Sequence, residues 1–393
     1  MPDLSAHPAL LVIAVAVAAA LLAEIPIGIR LPVGVLQLAL GILVGPHVLG
    51  LARVDGLLAA FGFFGTCALF FMAGMELDLD RVRGAPLSLA LRGWLVSLVL
   101  AGLFAGLLHA LPFVRLPFFV AIALTTTALG LLVPILRDSD DLETPFGRQV
   151  LAAGAAGEFG PVVVMSIAFA HETSGWVQAG LMLAFVALAI VCAVIALRPH
   201  PPHLLALLNR SMHKSAQLPV LLAMLLLATF VVLAQGLGLE ALLGAFAAGM
   251  VLGLATRGAD EGPMRAKIEA LTFGFFVPFF YVTSGMNFDL TALVTSGRAL
   301  LLVPLFLLLL LVVRGIPVLL YRKELSPDDR APFVLYTSMG LPILIAVTQI
   351  GVQSGRMAPD VAAALVGSGV ISVLVFPALA LHLRRSSPSF PER

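Results

Sequence analysis

The sequence predicts an all-α integral membrane protein of about thirteen transmembrane helices, arranged as two inverted repeats with discontinuous helices. Three observations point to this fold: an apolar composition, a series of apolar stretches long enough to cross a bilayer, and short motifs that recur at one spacing. Of the 393 residues, 60% are hydrophobic and 11% are charged, and the mean hydropathy is +1.08. A soluble domain carries about 25% charged residues, because its surface faces water. Most of the surface of this chain is therefore expected to face lipid.

Proline, glycine and charged clusters divide the apolar sequence into thirteen candidate spans. Each is near the roughly 20 residues that a helix needs to cross the hydrocarbon core. The spans of the first half are residues 9–27, 32–50, 57–75, 86–109, 117–136, 145–170 and 176–198, and those of the second half are residues 215–236, 239–255, 264–286, 297–321, 331–353 and 359–384.

The basic residues predict an orientation for these spans. With the N-terminus outside, 18 of the 23 Lys and Arg residues fall on the cytoplasmic side and 4 on the other, while Arg314 lies within a span. Loops rich in Lys and Arg stay in the cytoplasm. The chain is therefore expected in the inner cell membrane, with its N-terminus outside and its C-terminus cytoplasmic.

Short motifs recur in the two halves at nearly one offset. Residues 74–79 (GMELDL) resemble residues 285–290 (GMNFDL) at an offset of 211, and residues 41–45 (GILVG) resemble residues 249–253 (GMVLG) at an offset of 208. The offset covers seven predicted spans, an odd number, so the two copies cross the membrane in opposite directions. Such inverted repeats are typical of secondary transporters. Helix packing through closely spaced glycines is the alternative source of similar motifs.

Two ionisable residues, Glu158 and Arg314, lie deep within predicted spans. Glu158 follows Arg148 by ten residues, which places it about 15 Å from the inner end of its helix and near the midplane. Arg314 precedes Arg322 by eight residues, about 12 Å from the same end. Burial favours a protonated carboxylic acid, and a nearby cation favours the ionised form. Glu158 is therefore predicted to bind a proton and a monovalent metal cation in turn, with Arg314 as charge partner; a static salt bridge between two helices is the alternative.

Polar residues followed by glycine and proline interrupt two further spans, at residues 125–134 and 337–342. Paired interruptions in the two halves of a transporter predict discontinuous helices around a binding site. Hydroxyl and carbonyl oxygens near these breaks are suitable ligands for a monovalent cation, and the predicted ones are those of Thr126, Thr127 and Ser338. For each hydroxyl, a hydrogen bond to its own preceding turn is the alternative.

Composition disfavours several other classes of function. The net charge of +1 leaves no basic stripe for nucleic acid. Cys67 and Cys192 lie in apolar stretches and are expected to be structural. The sequence contains no recognisable nucleophile, metal cluster or phosphate-binding loop, so an enzyme is disfavoured and no cofactor is expected. The acidic loop at residues 138–144 is expected to be solvated.

Five motifs together resemble the monovalent cation:proton antiporter superfamily, in the branch of the Kef-type potassium efflux transporters and bacterial sodium/proton antiporters. The resemblance extends over residues 9–384, and its motifs are residues 30–32 (RLP), 41–46 (GILVGP), 71–78 (FMAGMELD), 144–148 (TPFGR) and 276–286 (FVPFFYVTSGM).

The resemblance implies an ion-binding acidic pair at the positions of Gly157 and Glu158, so Gly157 is included in the predicted site. The chain departs from the family here, because its first position has no side chain. Arg314 stands where electrogenic members carry a lysine. Since arginine does not release its proton at physiological pH, the resemblance implies electroneutral, one-for-one exchange.

The resemblance also implies that the two discontinuous helices cross each other, and that the protein is a homodimer of subunits built from two bundles. Scaffold and dimerisation helices are expected at about residues 9–75 and 215–286, core helices at about 86–170 and 297–384, and a linker helix at about 176–198. The expected function is exchange of Na⁺ or K⁺ for H⁺ across the lipid bilayer by alternating access, serving pH homeostasis. Two alternatives stay open: a transporter of another small substrate, for which Gly157 would leave room, and a channel or non-transporting membrane subunit.

Overall fold

The computed structural model describes residues 7–24, 32–76, 84–111, 114, 117–168, 175–196, 211, 217–256, 261–295 and 297–385. Within these residues the chain forms helices joined by turns and short loops. Residues 30–31 and 77–79, which belong to predicted motifs, lie outside the described residues. So do several of the loop Lys and Arg residues that predict the orientation.

The described residues form seventeen α-helices. Those of the first half are α1 (His7–Ala23), α2 (Val33–Val44), α3 (Gly56–Glu76), α4 (Ala85–Ala110), α5 (Pro117–Leu124), α6 (Leu129–Asp138), α7 (Pro145–Ala168) and α8 (Gly175–Ala196). Those of the second half are α9 (Leu218–Gly236), α10 (Ala241–Ala255), α11 (Glu261–Leu271), α12 (Val277–Met286), α13 (Leu290–Thr295), α14 (Gly297–Gly315), α15 (Pro327–Thr337), α16 (Pro342–Gln353) and α17 (Pro359–Arg385). A π-helical turn, Thr272–Phe276, joins α11 to α12, and a 3₁₀ turn, Ile316–Tyr321, extends α14.

In the described part of the chain, eight helical segments are long and apolar enough to cross a membrane. They are Gly56–Glu76, Ala85–Ala110, Pro145–Ser166, Leu218–Gly236, Pro263–Met286, Gly297–Tyr321, Pro327–Gln353 and Pro359–Arg384. Shorter apolar helices lie where the other spans are predicted, at His7–Ala23, Val33–Val44, Pro117–Val133, Gly180–Ile195 and Ala241–Ala255. The all-helical membrane fold is confirmed, and the exact number of spans stays a prediction.

The contacts divide the chain into two compact units. The first comprises Met1–Ala14, Val54–Asp78 and Val162–Thr283, and in it α10 contacts α3, α8 and α9. The second comprises Val15–Arg53, Leu79–Pro161 and Ser284–Arg393, and in it α17 contacts α14, α15 and α16. The assignment of scaffold, core and linker helices stays a prediction.

The repeated glycine motifs bring helices into backbone contact within each unit. In the second unit, a methyl group on Gly285 would lie 2.8 Å from the nitrogen of Ile42 and 2.9 Å from Cα of Gly41. In the first unit, a methyl group on Gly74 would lie 2.9 Å from the nitrogen of Met250. In the second unit, the second copy of the GMELDL motif thus packs on the first copy of the GILVG motif. In the first unit, the first copy of the GMELDL motif packs on the second copy of the GILVG motif. This exchange of partners is expected of a duplicated chain, and close glycine contacts favour helix association in lipid.

Two of the predicted spans are broken near their middle. The first break separates α5, which ends at Leu124, from α6, which begins at Leu129. The second separates α15, which ends at Thr337, from α16, which begins at Pro342. Helix α5 contacts α16. The prediction of discontinuous helices at these two segments is confirmed.

Candidate functional site

The two breaks exchange hydrogen bonds in the second unit. The backbone nitrogen of Ala128 donates to the carbonyl oxygen of Met339 at 2.7 Å, and the Thr127 hydroxyl donates to the carbonyl oxygen of Thr337 at 2.6 Å. Irregular backbone is tolerated at membrane depth only where its polar groups find partners. Each break therefore satisfies part of the other, and the breaks form a single crossing.

Glu158, on α7, lies at this crossing and is 2% exposed. Its Oε2 accepts a hydrogen bond of 2.6 Å from the nitrogen of Leu129, the first residue of α6. The carbonyl oxygen of the preceding residue, Gly157, accepts a bond of 3.0 Å from the nitrogen of Thr127. The N-terminus of a helix carries a partial positive charge that favours a negative group. The carboxylate thus lies at the positive end of the α6 dipole.

The three threonines of the first break use their hydroxyls differently. Those of Thr125 and Thr126 each donate at 2.8 Å to a carbonyl of the preceding turn. The hydroxyl of Thr127 instead joins the two breaks and accepts a bond of 3.1 Å from Nε of Arg314. The alternative interpretation, a hydrogen bond to the preceding turn, therefore holds for the hydroxyls of Thr125 and Thr126 but not for that of Thr127. Oxygen lone pairs remain on all three hydroxyls, and ion binding by Thr126 and Thr127 stays a prediction.

Arg314, on α14, is 4% exposed and forms hydrogen bonds with residues of the same crossing. Its guanidinium donates to four oxygens, those of Thr127 Oγ1 at 3.1 Å, the Thr337 carbonyl at 3.2 Å, Ser97 Oγ at 3.3 Å and the Ala153 carbonyl at 3.1 Å. One of these carbonyls belongs to the last residue of α15, where a positive charge complements the helix dipole. Arg314 therefore joins α4, α7 and both broken helices; its role as charge partner of Glu158 stays a prediction.

Gly157 is a tightly packed position. A methyl group there would collide with Thr127 Oγ1 and would lie 2.7 Å from Nη2 of Arg314. The expectation that the small residue leaves room for another substrate is therefore wrong, because Thr127 and Arg314 fill the space. An acidic side chain at this position would require both to move. The group that Gly157 presents to the crossing is its carbonyl oxygen.

Ser338 and Gly340 lie in the second break. Ser338 is fully buried, and its hydroxyl has no hydrogen-bond partner among the described residues. A buried polar group without a partner costs about 1–3 kcal/mol, so this hydroxyl is suited to bind a water molecule or an ion. A methyl group on Gly340 would lie 2.6 Å from Thr126 Oγ1, which brings Thr126 against the second break. Ion binding by Ser338 is consistent with this geometry and stays a prediction.

Helix α4 contributes residues that sequence reasoning missed. The Trp94 ring lies against Gly160 on α7, where a methyl group would collide with it. Ser97, on the same face of α4, binds Arg314 and also donates to the carbonyl oxygen of Val313 at 2.8 Å. The available signal is the helical spacing of Trp94 and Ser97, which lie three residues apart within a predicted membrane span, since polar groups in spans are costly.

A buried charge cluster lies at one end of the second unit. Arg384 Nη2 lies 2.7 Å from Oδ1 of Asp141, and Nη1 lies 2.8 Å from Oδ1 of Asp329. The guanidinium carbon is 4.4 Å from the ring centroid of Phe146. The expectation that the loop at residues 138–144 is solvated is wrong for Asp141, which is fully buried. Burial raises the pKa of the Asp141 carboxyl, and the hydrogen bond from Arg384 acts in the opposite direction.

This cluster connects the two broken helices at their ends away from the crossing. Asp141 lies in the loop between α6 and α7, the helices that meet at the Glu158 carboxylate, and Asp329 lies in the first turn of α15. Arg384 is at the end of α17. Through these bonds the far ends of both broken helices are attached to one helix.

Comparison with known proteins places this architecture in a family. Residues 11–381 match the family model of the transmembrane sodium/hydrogen exchanger. A relative from Bacillus subtilis is 26% identical over 377 residues, and the match covers 89% of this chain and 58% of that relative's length. The Na(+)/H(+)-K(+) antiporter GerN of Bacillus cereus is 24% identical over 348 residues, which cover 87% of each chain.

A solved structure has the same fold. The sodium proton antiporter MjNhaP1 from Methanocaldococcus jannaschii superposes with a TM-score of 0.65 at 18% sequence identity, covering 96% of this chain and 95% of that one. At this identity the likeness establishes the fold alone. The family model, in contrast, matches nearly the whole sequence. This chain belongs to the sodium/hydrogen exchanger family of membrane cation/proton antiporters.

Proposed function

We propose that the chain exchanges one Na⁺ or K⁺ for one proton across the inner cell membrane, with Glu158 carrying each in turn. The observation that carries the proposal is the buried Glu158 carboxylate at the crossing, bonded at 2.6 Å to the first N–H of α6. An ionisable residue inside a membrane span is costly and therefore points to function. The relatives are named as antiporters of sodium and potassium, which supports these two cations as substrates.

The exchange follows from the single charge of Glu158. A bound proton or a bound monovalent cation each neutralises the carboxylate, so either loaded form crosses the apolar interior at lower cost than the empty, charged form. The oxygens of Thr126, Thr127, Gly157 and Ser338 would replace part of the water shell of the cation, as backbone carbonyls do in selectivity filters. Proton and cation compete for one group, so loading one releases the other.

Arg314 has a constant charge in this scheme. An arginine keeps its proton at physiological pH, and its four hydrogen bonds tie it to the crossing. Because Glu158 alone changes its protonation, one proton moves per cation and the exchange is electroneutral.

The orientation and the assembly are part of the proposal. The distribution of Lys and Arg supports an N-terminus outside and a C-terminus in the cytoplasm, which puts the Arg384 cluster on the cytoplasmic side. Membership in the family supports a homodimer whose scaffold helices form the interface, while the core helices move to give alternating access.

Transport in liposomes tests the proposal. Purified protein is reconstituted with a pH-sensitive dye inside, and external Na⁺ or K⁺ is expected to drive protons out of the lumen. Glu158→Gln keeps an oxygen that can accept from Leu129 but removes the charge, so it is expected to abolish the signal. Glu269→Gln, at a carboxylate that is 40% exposed on α11, is the matched control and is expected to exchange normally.

Each outcome separates one part of the proposal. Exchange by Glu158→Gln at the rate of the unsubstituted protein would rule out Glu158 as the carrier. An effect of an imposed membrane potential on the rate of Na⁺/H⁺ exchange would contradict one-for-one stoichiometry. Ion conduction without proton movement would instead indicate a channel.

A further inference from the structure

Ser97 on α4 supplies a hydrogen-bond donor that a proline on the neighbouring helix cannot supply. Ser97 is fully buried, and its Oγ donates to the carbonyl oxygen of Val313 on α14 at 2.8 Å. In an α-helix this carbonyl accepts from the N–H four positions later, but that position is Pro317, which has no N–H. The bond from Ser97 therefore satisfies a carbonyl that Pro317 leaves without its usual α-helical donor.

The bond to Val313 fixes how Ser97 meets Arg314. A carbonyl oxygen only accepts hydrogen bonds and a guanidinium only donates them. The proton of Ser97 Oγ is therefore directed at Val313, and its oxygen accepts from Nη1 of Arg314 at 3.3 Å. The two bonds form a chain from Arg314 through Ser97 to the backbone of α14. Consecutive hydrogen bonds polarise one another, so each strengthens the next.

The three nitrogens of the Arg314 guanidinium contact different parts of the second unit. Nη1 contacts α4 through Ser97, and Nη2 contacts α7 at the Ala153 carbonyl at 3.1 Å. Nε contacts both breaks, at Thr127 Oγ1 (3.1 Å) and at the Thr337 carbonyl (3.2 Å). Because the guanidinium is planar and its donors form a rigid fork, the position of Nη1 constrains the direction of Nε. Ser97 therefore helps to aim Nε at the breaks.

Helix α4 holds Ser97 between two other helices. Gly93, one turn earlier, faces the 3₁₀ turn that extends α14, because a methyl group on it would lie 3.4 Å from Cβ of Pro317. The Trp94 ring lies against Gly160 on α7. Residues three and four positions apart share a face of a helix, so the face that carries Ser97 packs on both α7 and the extension of α14. This packing makes Ser97 a fixed point for the guanidinium.

We propose that Ser97 is a positioning residue for cation binding, which aims Arg314 at the breaks and thereby fixes the Thr127 hydroxyl oxygen where the cation binds. The inference rests on the proposed function, because it requires a cation at the crossing. Oxygens that are already in place bind an ion more tightly, since ordering them on binding costs free energy. A proton needs only the Glu158 carboxylate, so Ser97 acts on the affinity for the cation.

Substitution of Ser97 in the full chain tests the inference. Ser97→Ala removes the hydroxyl, and Ser97→Cys keeps a group of similar size that is a weak donor and acceptor. Ser88→Ala is the matched control on α4, because the exposed Ser88 hydroxyl donates at 3.0 Å to the Ala85 carbonyl of its own turn. Exchange in liposomes is measured against Na⁺ and K⁺ concentration at fixed pH, which gives the half-saturating concentration and the maximal rate.

Both Ser97 variants are expected to raise the half-saturating cation concentration by about 10-fold, as removal of a group that orients a metal ligand commonly does. The maximal rate is expected to be retained, because Glu158 is unchanged, and Ser88→Ala is expected to change neither quantity. If Ser97 acts through the Thr127 oxygen, adding Ser97→Ala to Thr127→Val is expected to raise the half-saturating concentration no further. Misfolding would instead lower the maximal rate, since it removes active molecules.

Three results would overturn the inference: an unchanged half-saturating concentration in both Ser97 variants, a loss of maximal rate alone, or an undiminished effect of Ser97→Ala in the Thr127→Val background. Failure of the proposed function is a separate result. Exchange by Glu158→Gln, or none by the unsubstituted protein, would refute the role of Glu158 and the inference with it. Unchanged Ser97 variants of a protein that exchanges through Glu158 would refute only the role of Ser97.

Discussion

Replacing Gly157 by alanine tests how tightly the crossing is closed. The new methyl group would collide with Thr127 Oγ1 and stand 2.7 Å from Nη2 of Arg314, whereas non-bonded atoms prefer about 3.5–4.0 Å. Thr127, Arg314 or α7 itself must therefore move by about 1 Å. Overpacking costs about 1–3 kcal/mol, and a hydrogen bond to a charged group contributes about 1.5–3 kcal/mol. Together they predict a loss of about 3–5 kcal/mol in the free energy of unfolding.

The assay compares two glycines at the crossing. Thermal unfolding in detergent measures stability, and liposome exchange measures function. Gly130→Ala on α6 is the matched control, because its methyl group meets nothing within 4 Å; it is expected to be neutral or to stabilise by about 0.5–1 kcal/mol. Gly157→Ala is expected to unfold at lower temperature and to exchange more slowly. If Gly157→Ala proved as stable and as active as Gly130→Ala, the reasoning about this packing would be refuted.

Three further predictions concern the hydroxyls and the charge cluster. Thr127→Val removes the hydroxyl that joins both breaks and is expected to cost about 1–3 kcal/mol and to slow exchange, whereas Thr125→Val, whose hydroxyl bonds only its own preceding turn, is expected to cost less in the same unfolding and transport assays. Arg384→Met removes the guanidinium that binds the fully buried Asp141 and is expected to lower stability by about 3–5 kcal/mol, measured by thermal unfolding; a change below 1 kcal/mol would contradict the burial of the cluster. Because burial raises the pKa of Asp141, its protonated form favours folding at low pH and this contribution is lost as the pH rises. Asp141→Asn, which resembles the protonated form, should therefore gain thermal stability relative to the unsubstituted protein as the pH rises from about 4 to 8, and a gap that is constant across this range would contradict the assignment.

The sequence predicts the features of this fold that depend on local pattern. Polar residues followed by glycine and proline at 125–134 and 337–342 predict the two breaks, because such residues weaken a helix wherever they lie. Counting residues at a fixed helical rise predicts a deep position for Glu158, and its burial at the crossing is consistent with that position. The recurring glycine motifs predict the duplication, and their exchange of packing partners is consistent with it.

Features that depend on which helices become neighbours could not be predicted in this way. Asp141 has the local sequence of a solvated acidic loop, yet the end of α17 brings Arg384 onto it from 243 residues away. The missing side chain of Gly157 suggests free space in the sequence, and only the fold shows that Thr127 and Arg314 fill that space. Likewise, the bond between Ser97 and Arg314 joins residues that are 217 positions apart. Such pairings arise from packing between distant segments, about which helical periodicity carries no information.

The most direct test of competition at Glu158 is the number of protons released when a cation binds. Purified protein in weakly buffered solution is titrated with NaCl or KCl, and the protons released are counted against the cations bound. About one proton per bound cation is expected, since each neutralises one carboxylate charge, and Glu158→Gln is expected to release none. Proton release by Glu158→Gln equal to that of the unsubstituted protein would contradict the assignment of Glu158 as the shared site.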